Sequence, residues 1–430
     1  MKLVLNRDRI FGVKLVYLFI TSMFLIISFL FPTYAIDSLA ILLVITNLFT
    51  IFLARKNQIS LFISFILLFF NLSIALSDYT FHINQITWNS LVYYNNGQYY
   101  QEALIMLLVF NIVFLLTINT DEYIYQPIAM QKESPILFWV FYLITILILI
   151  FGINRNAIGI GYEVRITPIF EYSIVFFLMC HIFSNKSNAF HSSLIIILAI
   201  LYILQDAMYG GRITSIQLFI FLSFNYFSKV INVKNLIIFF TFAILVFTFI
   251  GRHRGGDSLS MSSLFEGFVN DTATFAYGSS TTHLFAADQI DWNTRLMSLF
   301  YFIVSFILPL PKEASILSNV TAYSQHFHVN IGGGVVFSHL YFWGGYPLLL
   351  LFAIIFNLYL NKIEKSVKSL DRGILLLLIS YFPRLYLYSP KAGLRSSLVL
   401  FPLLWLLFSR LDIGTGTGYL ATRSHPSQQK

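Results

Sequence analysis

Apolar stretches of about 17 to 25 residues recur along the whole chain and constrain its fold more than any other feature. A helix of that length crosses the roughly 30 Å hydrocarbon core of a bilayer. Runs such as LIIILAILYIL do not alternate between apolar and polar residues, as the strands of a membrane barrel would. With 57% hydrophobic and 11% charged residues, the chain also lacks the polar material to cover a soluble fold. The sequence therefore predicts an all-α polytopic membrane protein.

The apolar stretches divide into about twelve predicted transmembrane helices. They are 11–31, 36–54, 59–77, 100–119, 135–152, 168–184, 189–207, 212–228, 235–251, 345–361, 373–389 and 395–411. We expect one transmembrane domain over residues 1–411. Residues 412–430 change composition abruptly, which is typical of a disordered tail or an appended cloning sequence. The first stretch follows Lys2, Arg7 and Arg9 but is too long for a signal peptide, which favours an uncleaved span.

Lysines flank alternate ends of these spans and indicate their orientation. They are Lys56, Lys132, Lys186, Lys229, Lys234 and those of the cluster NKIEKSVK. Because cytoplasmic loops are enriched in lysine and arginine, we expect both termini in the cytoplasm. Residues 252–344 then form one long external loop. The apolar piece 296–310 within it is too short to span and is predicted to be an interfacial or re-entrant helix.

Three features limit the classes of function. The net charge of +8 does not favour nucleic-acid binding, because the basic residues are dispersed among short loops. The single cysteine, Cys180, excludes an intrachain disulfide. His326, His328 and His339 lack the spacing and the carboxylates that are typical of a metal site. We therefore expect neither a metal nor another cofactor.

Arginine, unlike lysine, is common at the expected external positions. These arginines are Arg155, Arg165, Arg212, Arg252, Arg254, Arg295, Arg384 and Arg395. A guanidinium group is planar, always charged and able to bind a phosphate through two hydrogen bonds. The pattern favours an external site for a lipid-borne phosphate or pyrophosphate. For any single arginine the alternative is a lipid headgroup, or an acid such as Asp206 or Asp257.

Two of these arginines lie beside short external turns. Arg212 follows Gly210 and Gly211 in YGGRITSIQLF, where exposed amides at a helix start favour an anion. The alternative is a simple turn between two spans. Arg384 lies about one turn inside the membrane, before LYLYSPKAGL, and such a position requires a polar cavity. Arg395 follows the same hairpin.

The expected external loop carries further candidates at both of its ends. FIGRHRGGDS places Arg252 and Arg254 where a span emerges, and Asp257 could hold one while the other meets phosphate. At the exit, NIGGGVVFSHLYFWGGYP is not a nucleotide-binding loop, because no Gly-Lys-Ser/Thr follows its glycines. These glycines favour an irregular backbone beside a substrate.

This arrangement resembles the Wzy-type oligosaccharide repeat-unit polymerases of O-antigen and capsule. Members have a comparable number of spans and one long periplasmic loop toward the C-terminal half. Several carry a glycine-rich stretch, a serine, an acid-x-Tyr pair and a glycine at the loop exit. Here that stretch reads Gly334, Ser338, His339, Tyr341, Gly344 and Gly345, with His339 where the common pattern has Glu. YGGRIT is similar to the Gly-x-Arg that opens a span in the family, and the resemblance covers roughly 205–400.

The resemblance implies a metal-independent glycosyltransferase of lipopolysaccharide or capsule biosynthesis at the outer face of the bacterial inner membrane. It would transfer a glycan from undecaprenyl pyrophosphate to the nonreducing end of another lipid-linked repeat unit. His339 or Glu266 would accept the proton of the acceptor hydroxyl. The implied substrate-binding residues are Arg212 (also catalytic), Arg252, Arg254, Arg384 and Arg395 on phosphates, Arg165 on the second lipid-linked unit, and Tyr341. Membrane lipid and a chain-length regulator are the further expected partners.

Two other functions fit the same composition. An O-antigen ligase-like enzyme would use the same donor, but the His-Asn pair of familiar ligases is missing at the loop exit. A flippase or transporter of lipid-linked oligosaccharide also needs many spans, and it should show two related halves and charges near mid-membrane. The sequence shows no internal repeat, which favours the polymerase.

Overall fold

The computed structural model of the chain describes residues 7–30, 35–76, 97–128, 134–152, 168–184, 189–208, 213–242, 271–328, 330 and 333–409. Within these ranges the fold is helical, with two isolated β-bridges that pair Asn57 with Tyr123 and Val335 with Leu387. The predicted all-α class is therefore confirmed.

The helices are numbered in chain order. They are α1 (Arg7–Leu30), α2 (Ala35–Ala54), α3 (Gln58–Ala75), α4 (Gly97–Thr117), α5 (Pro135–Phe151), α6 (Pro168–Glu171), α7 (Ser173–Phe183), α8 (Ala189–Met208), α9 (Ile213–Tyr226), α10 (Val233–Phe242), α11 (Asp271–Gln289), α12 (Trp292–Val304), α13 (Lys312–Ser318), α14 (Val320–Ser324), α15 (Val336–Glu364), α16 (Ser369–Tyr386), α17 (Lys391–Arg395) and α18 (Phe401–Ser409). A 3₁₀ turn covers Ser228–Val230, and a π-helix, Ser396–Leu400, joins α17 to α18.

Seven helical segments of the described ranges are long and apolar enough to cross a membrane. They are α1, α2, α3, α4, α8, α15 and the continuous run from α17 through α18. The run from α6 through α7, and α5, α9 and α10, are apolar but shorter. The predicted spans 11–31, 36–54, 59–77, 100–119 and 189–207 coincide with five of the seven. The chain is thus a multi-pass helical membrane protein.

Helix α11 is buried, although the sequence predicted no helix there. It packs against α3, α4, α14 and α15, and residues 279–283 are fully buried. Ser280 donates a hydrogen bond to the Ala276 carbonyl at 2.8 Å, and Thr281 donates to the Gly278 carbonyl at 2.7 Å. Small hydroxyl residues that bond to their own helix allow close helix packing in a membrane protein. The prediction of one short helix in segment 252–344 was therefore incomplete.

Helix α12 corresponds to the apolar piece that the sequence predicted to be interfacial or re-entrant. At 13 residues it is about 20 Å long, too short to cross a bilayer. One face buries Arg295, Ser298 and Phe302, whereas Leu296 and Phe300 on the other face are exposed. The helix is amphipathic, with an apolar face that no described residue covers.

Helix α15 is broken at Gly344 and Gly345, where Gly345 has φ 63° and ψ −159°. The break interrupts the hydrogen-bond ladder and frees carbonyls in the preceding turn. Arg295 supplies the missing donors: its Nε bonds to the Phe342 carbonyl at 2.6 Å, and its Nη2 bonds to the Tyr341 carbonyl. The predicted span 345–361 matches only the part after the break. The first part, 336–343, is also helical, within the range that the sequence predicted to be an external loop.

The ends of several helices meet at a lysine-rich end, defined here as residues 55–58, 118–126, 228–231 and 362–372. The Gln58 amide side chain donates to the Ser228 and Ile231 carbonyls at 3.0 and 3.1 Å. Asn57 and Asn119 both donate to Glu364 Oε2, at 3.1 and 2.7 Å. These segments were predicted to share one side of the membrane, and the contacts bring them together.

Candidate functional site

The structure describes four of the nine candidate site residues. His339 and Tyr341 lie on α15, Arg384 lies in the last turn of α16, and Arg395 ends α17. The remaining candidates, which lie outside the described residues and stay predictions, are Arg165, Arg212, Arg252, Arg254 and Glu266.

Arg384 is half-buried and paired with an acid. Its Nη2 lies 2.7 Å from Glu171 Oε1, and its guanidinium carbon lies 4.8 Å from the centre of the Tyr388 ring. The sequence pointed to Asp206 or Asp257 as acidic partners, and for this arginine the structure gives Glu171 instead. The Nε atom of Arg384 is buried and has no hydrogen-bond partner among the described residues. This donor of the guanidinium is therefore unpaired within the part of the chain that the structure describes.

Two more cations lie at the same end of the bundle. The guanidinium carbon of Arg395 lies 5.5 Å from the centre of the Tyr172 ring, and its Nη1 lies 3.5 Å from the tyrosine oxygen. Lys391 begins the helix that Arg395 ends. We call this region the arginine end and define it by residues 171–172 and 384–395. Its three cations exceed the single acid, Glu171, within that definition.

A second cluster joins α11 to the start of α15 and consists of His283, Ser338 and His339. The His283 Nδ1 atom lies 2.9 Å from Ser338 Oγ, and the two imidazole rings are 4.8 Å apart. Ser338 Oγ donates to the Val335 carbonyl at 2.8 Å. All three side chains are buried. We refer to them as the histidine cluster.

Hydrogen bonding assigns a proton to one nitrogen of each ring. A carbonyl only accepts, so His339 Nε2, 2.6 Å from the Tyr388 carbonyl, carries a proton and leaves Nδ1 basic. The Ser338 hydrogen goes to Val335, so His283 Nδ1 must be the donor to Ser338 Oγ. His283 Nε2 is then an acceptor, and it has no partner among the described residues.

Burial keeps the His283 ring neutral. Loss of solvent, and then the neighbouring His339, lower the pKa of His283 well below its ordinary value. A β-carbon at Gly334 would lie 2.3 Å from His283 Cε1 and 3.1 Å from His339 Nε2. Only glycine lets the backbone pack this closely on both rings. Gly334 therefore covers the histidine cluster.

Tyr388 connects the histidine cluster to the arginine end. It adopts φ 75°, which is unusual for a residue with a side chain, and its carbonyl accepts the bond from His339. Its ring contacts both Arg384 and the Gly333 backbone turn. The adjacent Leu387 pairs with Val335 across an antiparallel bridge. A single strained residue thus contacts two candidates, His339 and Arg384, that are 45 positions apart.

Tyr341 lies outside the arginine end. Its ring packs 5.4 Å from the guanidinium carbon of Arg295 and 5.6 Å from the Tyr346 ring. Its described contacts do not include Arg384 or Arg395. The structure supports a role for Tyr341 in holding the break in α15, rather than in the arginine end.

Sequence reasoning did not find His283 or Glu171. His283 follows a polar SSTT run that resembles a loop, and Glu171 lies 213 positions from Arg384.

The described residues contain no group of three or more histidine, cysteine or acidic side chains arranged to hold a metal ion. The chain matches no known protein-family model, no curated protein and no solved structure.

Proposed function

We propose that the chain is a polymerase of lipid-linked oligosaccharide repeat units that acts at the outer face of the bacterial inner membrane. About twelve spans with both termini in the cytoplasm would place the arginine end outside. The observation that carries the proposal is the arginine end itself. Arg384, Lys391 and Arg395 gather there, against one acid, at the mouth of a helical bundle.

A diphosphate on a lipid carrier fits this arrangement. Its charge would be held by two guanidinium groups and an ammonium group, while its polyprenyl chain remains in the bilayer beside the apolar helices. Glu171 holds Arg384 in place before the ligand arrives, which reduces the ordering required on binding. The same cations would stabilise the negative charge that develops on the departing diphosphate.

The reaction requires a base as well as an anion site. The acceptor hydroxyl oxygen forms a bond to the anomeric carbon of the donor sugar, and the bond from that carbon to the diphosphate oxygen breaks. The hydroxyl proton passes to a neutral imidazole, and the lipid diphosphate leaves with the bonding electrons. His339 through Nδ1 is the candidate acceptor. The sequence proposed His339 or Glu266, and Glu266 lies outside the described residues. Its tautomer is fixed by Tyr388, the residue that also contacts Arg384.

Deletion of the gene in the bacterium that carries it tests the function. If the chain is a polymerase, the polysaccharide ladder should disappear from a gel of the deletion strain while a single repeat unit remains on the lipid core. Complementation with the intact chain should restore the ladder. Loss of every repeat would contradict the proposal and favour a ligase or a flippase. Membrane fractions should show equal amounts of protein in all complemented strains.

A further inference from the structure

Several fully buried polar groups near the arginine end lack a hydrogen-bond partner among the described residues. They are Ser173 Oγ, Asp206 Oδ1, both amide atoms of Gln217, Ser380 Oγ and Ser397 Oγ. Buried polar groups are nearly always hydrogen-bonded in native proteins. Several unused groups in one region therefore indicate a polar ligand.

These groups lie on elements that pack against one another. Ser173 begins α7, Gln217 is in the second turn of α9, and Asp206 is two residues from the end of α8. Ser380 precedes Arg384 by one helical turn on α16. Ser173 and Ser397 lie within two residues of the arginine end along the chain, and Asp206 lies close enough to Glu171 for the two carboxyl groups to interact electrostatically.

Contacts between the elements hold this polar layer together. Helix α16 packs against α7, α9 and the π-helix that contains Ser397. Tyr381 donates to the Glu171 carbonyl at 2.5 Å and so joins α16 to the end of α6, two residues before α7 begins. Asp206 uses its other oxygen to accept from the Ser215 amide and hydroxyl at 2.9 and 2.8 Å. This leaves the Oδ1 lone pairs for a ligand.

The composition of the layer selects one chemical class of ligand. Serine hydroxyls and the Gln217 amide both donate and accept, and Asp206 adds a carboxyl group. A phosphate needs cations, which this layer lacks, whereas a polyol matches a mixed set of donors and acceptors. A π-helix inside a helical run, here Ser396–Leu400, frequently accompanies a functional site.

We infer that this layer binds a sugar ring of the lipid-linked glycan, next to the diphosphate held by the arginine end. The inference rests on the proposed function and specifies which part of the substrate each region recognises. The cations bind the diphosphate, and the layer formed by Ser173, Asp206, Gln217, Ser380 and Ser397 binds the sugar attached to it.

Carriers with and without a sugar separate the two regions. Full-length protein in lipid nanodiscs is titrated with undecaprenyl diphosphate and with its glucosyl, galactosyl and N-acetylglucosaminyl forms. The matching methyl glycosides are titrated separately. At least one sugar-bearing carrier should bind about tenfold or more tightly than the bare diphosphate, the difference expected from one or two added hydrogen bonds.

Single-residue variants test which side chains cause the preference for a sugar-bearing carrier over the bare diphosphate. Gln217→Ala should reduce the tenfold ratio of affinities, sugar-bearing carrier over bare diphosphate, to about one. Ser397→Ala removes only one hydroxyl group and should reduce the ratio in part. Both should leave affinity for the bare diphosphate unchanged. Asn225→Ala is the matched control, because Asn225 lies on the same helix with both amide atoms buried and unbonded, but eight residues toward the lysine-rich end. It should preserve the ratio. Thermal unfolding of each variant checks folding.

Each outcome decides between the two ideas. Binding of all carriers without sugar preference overturns the inference and leaves the proposed diphosphate site standing. Binding of a methyl glycoside that Gln217→Ala abolishes, without carrier binding, supports the sugar site and contradicts the proposed function. Loss of preference in Asn225→Ala overturns the inference, and so does the absence of all binding. Phosphatidylglycerol that co-purifies with the wild type but not with Gln217→Ala would identify a lipid headgroup as the occupant and also overturn it.

Discussion

The lysine-rich end and the region beside the arginine end each contain a buried acid on a long helix, but the two acids differ in their hydrogen bonding. Glu364 at the lysine-rich end accepts two hydrogen bonds from Asn57 and Asn119 through one oxygen. Asp206, close to the arginine end, has one oxygen bonded to Ser215 and one with no described partner. The acid of the first region completes the fold, whereas the acid of the second retains bonding capacity.

The connecting segments show the same contrast. At the lysine-rich end, the Gln58 and Tyr123 amides donate to the Tyr123 and Lys56 carbonyls at 3.0 and 3.1 Å, so two loops are tied by their backbones. Near the arginine end, Tyr388 is strained and its carbonyl is held by a histidine side chain.

Backbone strain concentrates where proteins bind ligands. Buried polar groups without a described partner occur toward both ends, at Tyr125 and Asn225 as well as at Asp206, so the strained Tyr388 is the feature that distinguishes the arginine end. We therefore expect a ligand at the arginine end rather than at the lysine-rich end.

The largest expected effect comes from replacing the planar guanidinium group of one arginine with an ammonium group of the same charge. Arg384→Lys should lower the rate of polymer formation about 100-fold, because an ammonium group cannot contact both Glu171 and a phosphate in the same planar geometry. The measurement is chain growth from lipid-linked repeat units in proteoliposomes. Binding of the bare lipid diphosphate should weaken in parallel.

Arg372→Lys at the lysine-rich end is the matched control. Arg372 lies near the Ser366 carbonyl and Gln126, both at long hydrogen-bond distances. The same chemical change there should leave chain growth unchanged. Equal losses in the two variants would show that the ends do not differ in function, and normal growth in Arg384→Lys would refute phosphate binding by this guanidinium.

The next effect is on stability and uses two glycines. Gly334→Ala should destabilise the fold by about 2 kcal/mol, because the new methyl group would overlap the His283 ring. Gly12→Ala in α1 meets nothing within 4 Å and should stabilise the helix by up to about 1 kcal/mol. Thermal unfolding in detergent measures both. A Gly334→Ala variant as stable as the wild type would show that the backbone at Gly334 does not pack as closely on the His283 ring as in the structure.

The same regions show which parts of the fold and of the candidate site could be predicted from the sequence. The spans that became α2, α3 and α4 were predictable, because continuous apolar residues report burial in lipid directly. Helix α11 was not, because its polar side chains satisfy themselves on their own backbone and leave no apolar signature. The sequence singled out Arg384 from its position near a predicted membrane boundary, and its role in a site remains a prediction. Its partner Glu171 required the fold, since no local pattern links positions so far apart.

A smaller effect is expected from pH. The native pKa of His283 lies well below the unfolded value of about 6.5, so the native state binds fewer protons between these values. Stability should therefore be constant above pH 6.5 and fall as the pH drops below it, by at most about 1.4 kcal/mol per pH unit. Denaturant unfolding at pH 7.5 and pH 5.5 measures the difference. In His283→Gln the difference should shrink by this amount, and an unchanged difference would exclude His283 as its source.

The smallest effect is expected at an ion pair of the lysine-rich end. Lys365 Nζ lies 3.9 Å from Asp121 Oδ2, and both side chains are 69% exposed. Exposed pairs at this distance are screened by water and salt, so Lys365→Ala should change stability by less than about 0.5 kcal/mol and leave chain growth unchanged. The half-buried pair of Arg384 with Glu171 is shorter by more than 1 Å. Glu171→Gln should therefore slow chain growth more than Lys365→Ala, because it releases a guanidinium that the fold holds in position. If the two variants behave alike in the proteoliposome assay, Glu171 does not position Arg384 for the reaction.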